Sequence, residues 1–156
     1  GIVLKQAEQA GVLGTNLFIE DSLPKKQMPA LLSAADMASS LFIDLPEMQP
    51  NSANKFFDAL ASNTPIMLNY GGWMHELVEG KMCGLAMWRK PVSEVARIVA
   101  NRITDRQWLE TAGAAARSLA ESEFDRDRLA VQFAQVITKS AIGQGQFAEH
   151  IAPGRY

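Results

Sequence analysis

Cysteine is almost absent from this chain: Cys83 stands alone among 156 residues, so no intrachain disulfide framework can form and a reducing compartment suits the sequence. A single Cys of this kind reads as a small apolar core residue. Long apolar runs are missing too. The longest, such as Ile66-Met67-Leu68, have only strand length, so nothing spans a bilayer, and no signal-peptide pattern opens the sequence. An excess of one charge is also lacking, since 15 Lys and Arg against 17 Asp and Glu leave a net charge of -2. That excludes the broad basic field of nucleic-acid binders, and nucleic acid is not an expected partner. The two histidines, His75 and His150, lie far apart and away from any Cys-ligand spacing, so neither a metal nor a cofactor is expected. No Ser or Cys nucleophile with a partner base stands beside His75. What the chain does have is apolar content, 47%, enough for one domain with a real core.

Apolar patterning predicts an alternation of helices and buried strands. Val3, Leu4, Ala7 and Ala10 fit a short helix stopped by Gly11 and Gly14. Leu17 to Ile19 is a compact apolar run read as a strand, with Glu20 to Pro24 as the loop at its carboxyl end. A helix from Lys25 to Ala35 leads to a second strand, Ala38 to Ile43, and then to a loop, Leu45 to Pro50, in which two prolines forbid regular structure. Ile66 to Asn69 and Leu85 to Trp88 give two more strands, separated by a helix that opens after Gly72. Three helices follow, the last two capped by Asp105 and Asp125, with apolar faces expected to wrap the sheet. The fold class is α/β: a Rossmann-like parallel sheet with helices on both faces, formed by residues 1–140, with a weakly ordered tail at 141–156.

The stretch Asn51-Ser52-Ala53-Asn54-Lys55-Phe56-Phe57-Asp58-Ala59-Leu60-Ala61 is the centre of this pattern. Asn51 and Ser52 are good N-caps, and a helix start with free N–H groups attracts anions, phosphate above all. Phe56, Phe57 and Leu60 turn toward the sheet, while Asn51, Asn54, Lys55 and Asp58 fall on the side of the helix entrance. Two meanings fit the residues alone, the first of them the plainer. The side chains cap and solvate a helix, or the helix start holds phosphate while Asp58, one turn in, binds a sugar hydroxyl. Ligands of open parallel sheets lie outside the carboxyl ends of the strands, where the Glu20–Pro24, Leu45–Pro50 and Tyr70–Trp73 loops would all fall.

The run from Asn51 to Ala61, with Thr64-Pro65-Ile66 and then Gly71-Gly72-Trp73-Met74-His75-Glu76, resembles the donor-binding half of GT-B glycosyltransferases of the retaining group 1 type. The resemblance covers roughly Gly11 to Lys139. In that family a Glu-x7-Glu run is followed by a turn, a strand and a Gly-Gly-x-x-Glu turn. Asp58 matches the second acid, and Gly71, Gly72 and Glu76 match the last motif with one residue more before the acid. The first acid is not matched: Pro50 occupies its place and Glu47 is the nearest carboxylate. The Asn-Ser-x-Asn-Lys-Phe-Phe-Asp variant looks like the subgroup acting on amino-sugar nucleotides in surface-polysaccharide assembly.

The resemblance implies the C-terminal half of a GT-B fold whose substrate is a nucleotide-sugar, UDP-sugars foremost. Asn51, Ser52, Ala53, Asn54, Asp58, Gly71 and Gly72 would bind the donor, and Ser22 and Leu23 the base through main-chain groups. Lys55 and Glu47 are the candidates for catalytic roles. It further implies that a strand and helix carrying a basic pair, and an acceptor-binding N-terminal domain, precede this stretch. The chain by itself is then expected to bind donor without transferring sugar, in the cytoplasm, with association at the inner membrane face left open. Two other functions remain: a sugar-nucleotide epimerase of the same architecture, and a non-catalytic α/β interaction module.

Overall fold

A computed structural model describes the backbone of residues 1–148 and the side chains of residues 1–140. Its frame is a parallel three-stranded sheet, β1 (Ala38–Ser40), β2 (Ile66–Leu68) and β3 (Gly84–Ala86), in the order β1-β2-β3. Ala38, Ile66 and Gly84 share one register row, and Ser40, Leu68 and Ala86 another. The crossovers are α3 (Asn54–Ala61) and α4 (Trp73–Lys81), preceded by α1 (Ile2–Gln9) and α2 (Met28–Ser33) and followed by α5 (Val92–Ile103), α6 (Arg106–Glu123) and α7 (Arg126–Ala148). The expected α/β class and the parallel pairing of the three later strands are what the structure has, each strand shorter than its apolar run.

α3 forms because its apolar residues recur with helical spacing: Phe56, Ala59 and Leu60 are fully buried on one stripe. They meet Ile66 and Leu68 of β2, Met74 and Val78 of α4, and Ala116 and Leu119 of α6 in a single cluster. Burying a side chain such as Leu60 or Phe56 contributes about 1.5 to 3 kcal/mol, so this cluster is the main source of stability. α6 starts as expected, with the Asp105 carboxylate accepting from the Trp108 N–H at 3.0 Å. α7 does likewise, with Asp125 accepting from the Arg128 N–H at 2.8 Å.

Four expectations are corrected. First, Leu17 to Ile19 is not a strand of the sheet. Gly11 and Gly14 take positive φ, and the backbone closes on itself: the Leu17 N–H donates to the Val12 carbonyl at 3.0 Å and the Gly14 N–H to the Leu17 carbonyl at 2.8 Å. Backbone groups paired locally are not offered to a neighbouring strand, and Phe18 is 65% exposed. Second, the helices do not cover both faces alike. Strands taken in chain order with right-handed crossovers place α3 and α4 on the same side. The other face carries Ser39, Met67 and Leu85, exposed at Ser39, half-buried at Met67 and buried at Leu85, with Val92 and Val95 of α5 near Met67. Third, α7 does not wrap the sheet: every side chain from 126 to 140 is exposed, Phe133 at 68%. An Arg128 guanidinium bonded to the Ser122 carbonyl fixes the α6–α7 joint. Fourth, Lys25 to Ala35 is split, a 3₁₀ turn at Lys25–Gln27 preceding α2. The tail expected at 141–156 begins within α7 and from 149 lies outside the described residues.

Gly84 has a clear steric reason. A Cβ there would collide with the Ile66 carbonyl across the β2–β3 pairing, and neither backbone can yield without breaking the ladder. Gly80, inside α4, has open space around it. Gly84→Ala should therefore lower unfolding free energy by about 1 to 3 kcal/mol, and Gly80→Ala should raise it by about 0.4 to 1 kcal/mol. Urea denaturation of the two variants checks the contrast.

Two buried acids set a pH dependence. Burial pushes the Cys83 thiol up from 9.0 to about 11. Burial also raises Tyr70, against a smaller opposing effect of its bond to Ser40. The folded chain keeps protons that the unfolded chain releases, so this stability is complete below about pH 9 and is lost as pH climbs toward 11. For Cys83 the loss is on the order of 2 to 3 kcal/mol. Denaturant midpoints between pH 8 and 11 should fall more for the parent than for Cys83→Ala.

Candidate functional site

The chain leaves each strand at its carboxyl end through a loop, and the three loops are bound to one another. The Asn69 side chain does most of this. Its Oδ1 accepts the Phe42 N–H at 2.9 Å, and its Nδ2 donates to the Phe42 carbonyl at 2.9 Å, so one amide satisfies both main-chain groups of a residue just past β1. Beside it the Tyr70 hydroxyl lies 3.3 Å from Ser40 Oγ, and the Tyr70 ring meets Phe42 edge-on at 4.8 Å. From the β3 side, Trp88 Nε1 donates to Asp44 Oδ1 at 3.2 Å. The Arg89 guanidinium lies 4.2 Å from the Trp88 ring centroid, a cation–π arrangement.

Gly71 and Gly72 sit where these loops touch. At Gly71 a Cβ would come within 2.7 Å of the Trp88 ring. Gly72 has φ 100° and would drive a Cβ into the Gln49 carbonyl. Both glycines were expected to bind the donor; the structure shows that each permits close approach of another loop. One consequence is that the start of α4 is pressed against the Gln49–Asn51 segment that leads into α3. The Trp73 indole N–H closes the junction by donating to the Asn51 carbonyl at 3.1 Å.

Two helix starts thus meet here, and neither has a side-chain cap: the N-cap of α3 is Ala53 and that of α4 is Gly72. The expectation that Asn51 or Ser52 caps α3 is therefore corrected. The helix begins later, because Asn51 is still in a turn, its N–H bonded to the Met48 carbonyl. N–H groups in the first turns of two helices are left free of side-chain caps, with the partial positive charge of both dipoles behind them.

The other expected site residues divide into three places. Asn51, Ser52, Ala53 and Asn54 lie at the junction with Gly71 and Gly72. Lys55 and Asp58 line a cavity of about 270 Å³ with Met28, Leu31, Leu32, Ala35, Met37, Ala38 and Ser39; Asp58 also lines a cavity of about 400 Å³ with Phe57, Arg117 and Glu121 on the α6 side, so the acid borders both. Asp58 is half-buried and Lys55 exposed. Glu47 sits in an exposed 3₁₀ turn, Pro46–Met48. Ser22 and Leu23 lie in an exposed loop, and among the described residues no hydrogen bond ties them to the junction. His75, in the first turn of α4, meets the Trp88 ring edge-on at 6.0 Å, and its Nδ1 is buried without a hydrogen-bond partner.

Sequence reasoning passed over Asn69, Asp44 and Trp88, which hold the loops. No local signal marks them, because each acts across 27 or 44 positions. Among the described residues no three His, Cys, Asp or Glu side chains form a group that could hold a metal ion. No described helix is long and apolar enough to cross a membrane. No protein-family model, curated protein or solved structure matches this chain.

Asn69→Ala should leave the Phe42 N–H and carbonyl without partners and lower stability by about 1 to 3 kcal/mol. Thermal denaturation checks this, with Ser39→Ala, at an exposed position of β1, as a control expected to change little.

Proposed function

We propose that this chain is a nucleotide-sugar-binding domain of a glycosyltransferase, with a UDP-sugar as donor in the assembly of a surface polysaccharide or lipopolysaccharide. The observation that carries this is the meeting of two uncapped helix starts at the carboxyl ends of parallel strands, one helical turn from the Lys55–Asp58 cavity. The diphosphate would lie at the helix starts. The apolar walls of Met28, Leu31, Leu32 and Met37 suit a base, and the Asp58 carboxylate suits a ribose hydroxyl. When the bond from the sugar carbon to the diphosphate oxygen breaks, its electron pair passes to the diphosphate. Dipoles fixed before that charge develops stabilise it without reorganising. Lys55, in the first turn of α3, would add a positive charge. The Gly71-Gly72-x-x-x-Glu76 and Asn51–Ala61 resemblance supports the same chemistry. A GT-B identity also entails an acceptor-binding domain, so this chain alone should bind donor without transferring sugar. Lost positioning can cost about 7 to 11 kcal/mol of barrier.

An epimerase would need an acid–base pair in the cleft. Asp58, Glu47 and His75 are the candidates, and they occupy three separate surroundings. An interaction module would bind no nucleotide.

Calorimetric titration with UDP and GDP tests the proposal directly, and binding of neither would overturn it. Asp58→Ala should weaken UDP binding roughly ten- to a hundredfold, the worth of a hydrogen bond to a charged group, while its thermal midpoint stays close to the parent's. Unchanged affinity would remove Asp58 from the site.

A further inference from the structure

We infer that Trp73 is a positioning residue for the diphosphate: its indole N–H sets the main chain before α3 in register with the start of α4. The inference rests on the donor-binding function proposed above. Trp73 is the first residue of α4, so its place follows from the Gly72 turn and the Gln49 carbonyl packed on it. The indole reaches back to the Asn51 carbonyl at 3.1 Å, two residues before the N-cap of α3. The ring itself is held by neighbours, with centroids 6.0 Å from Phe56, 6.2 Å from Phe57 and 6.2 Å from Phe124. A ring so packed is a fixed donor and not a flexible arm.

The hydrogen bond matters because α3 lacks the usual means of fixing its first turn. Ala53 has no side chain that can accept from the free N–H groups, and Asn51 and Ser52 precede the capping position. The direction of those N–H groups is therefore set by the path of the Asn51–Ala53 main chain. Trp73 is the side chain of α4 that holds this path. A diphosphate contacting both helix starts needs them aligned to a fraction of an ångström. Phosphate binding should thus depend on the indole N–H, while binding of the nucleoside, held on the Asp58 side of α3, should not.

Trp73→Phe keeps an aromatic ring among Phe56, Phe57 and Phe124 and deletes the donor. Two measurements on parent and variant test the inference. In the absence of ligand, NMR-resolved hydrogen exchange at Asn51 and Phe56, whose N–H groups are bonded to the Met48 and Ala53 carbonyls, should quicken about fivefold, with Leu68 unchanged. Equal rates at Asn51 and Phe56 in the two proteins would overturn the tether. With ligand, UDP affinity should fall about fivefold and uridine affinity stay constant. A parallel loss for UDP and uridine would reduce Trp73 to general packing, and no loss for either would also overturn its positioning role. A parent that binds neither compound but shows the exchange difference would refute the donor function and the diphosphate role together, leaving only the tether.

Discussion

One side-chain amide holds the carboxyl edge of the sheet together. The chain just past β1 has lost its ladder partner, and an unpaired N–H and carbonyl there would be costly away from water. Asn69 supplies both partners at once, at 2.9 Å each, in the manner of one more residue of a strand. The path of the Leu41–Pro50 loop follows from that pairing, and the loop delivers the Gln49 carbonyl to Gly72 and the Asn51 carbonyl to Trp73. The two helix starts meet because the loop is fixed. Without the Asn69 pairing, α3 and α4 would still pack through Phe56, Leu60, Met74 and Val78, but their N-termini would no longer be held to one another.

Much of the fold was legible because its causes are local. Asp105 and Asp125 cap α6 and α7 through a carboxylate and an N–H three residues on, a relation visible in the letters. The helical spacing of Phe56, Ala59 and Leu60 marked the core face of α3. Leu17 to Ile19 misled because an apolar run becomes a strand only when a neighbour takes its hydrogen bonds, and here the Gly11–Leu17 turn takes them first. The side on which helices lie depended on strand order, which apolar periodicity does not encode. At the site, Gly71 and Gly72 were marked by their motif, but what touches them was not, since Trp88 and Gln49 approach through the fold. Asn51 looked like a cap and turned out to be the acceptor of an indole N–H.

The junction has the chemistry of an anion site, though a modest one. Uncapped helix starts offer oriented N–H donors, worth typically about 0.3 to 1 kcal/mol each toward a charge near the surface and up to about 2 where partly buried. Two together, with Lys55 one residue into the first turn of α3, can favour a diphosphate without a strong fixed charge. Asp58 borders the cavity on the α2 side and the one on the α6 side, so a nucleotide satisfying both features would run along α3 from its N-terminus toward Asp58. The His75 Nδ1, in the first turn of α4, is buried and is the one buried side-chain polar atom among the described residues without a hydrogen-bond partner.

The most direct measurement is an amide chemical-shift map of the chain during titration with UDP. Shifts concentrated at Ala53, Asn54, Lys55, Gly72, Trp73 and Met74, with smaller ones reaching Asp58 and Leu32, are the expected result. Saturable shifts confined to α5, α6 or the Ser39–Met67 face of the sheet, with the two helix starts unmoved, would contradict the assignment of the junction as the diphosphate site.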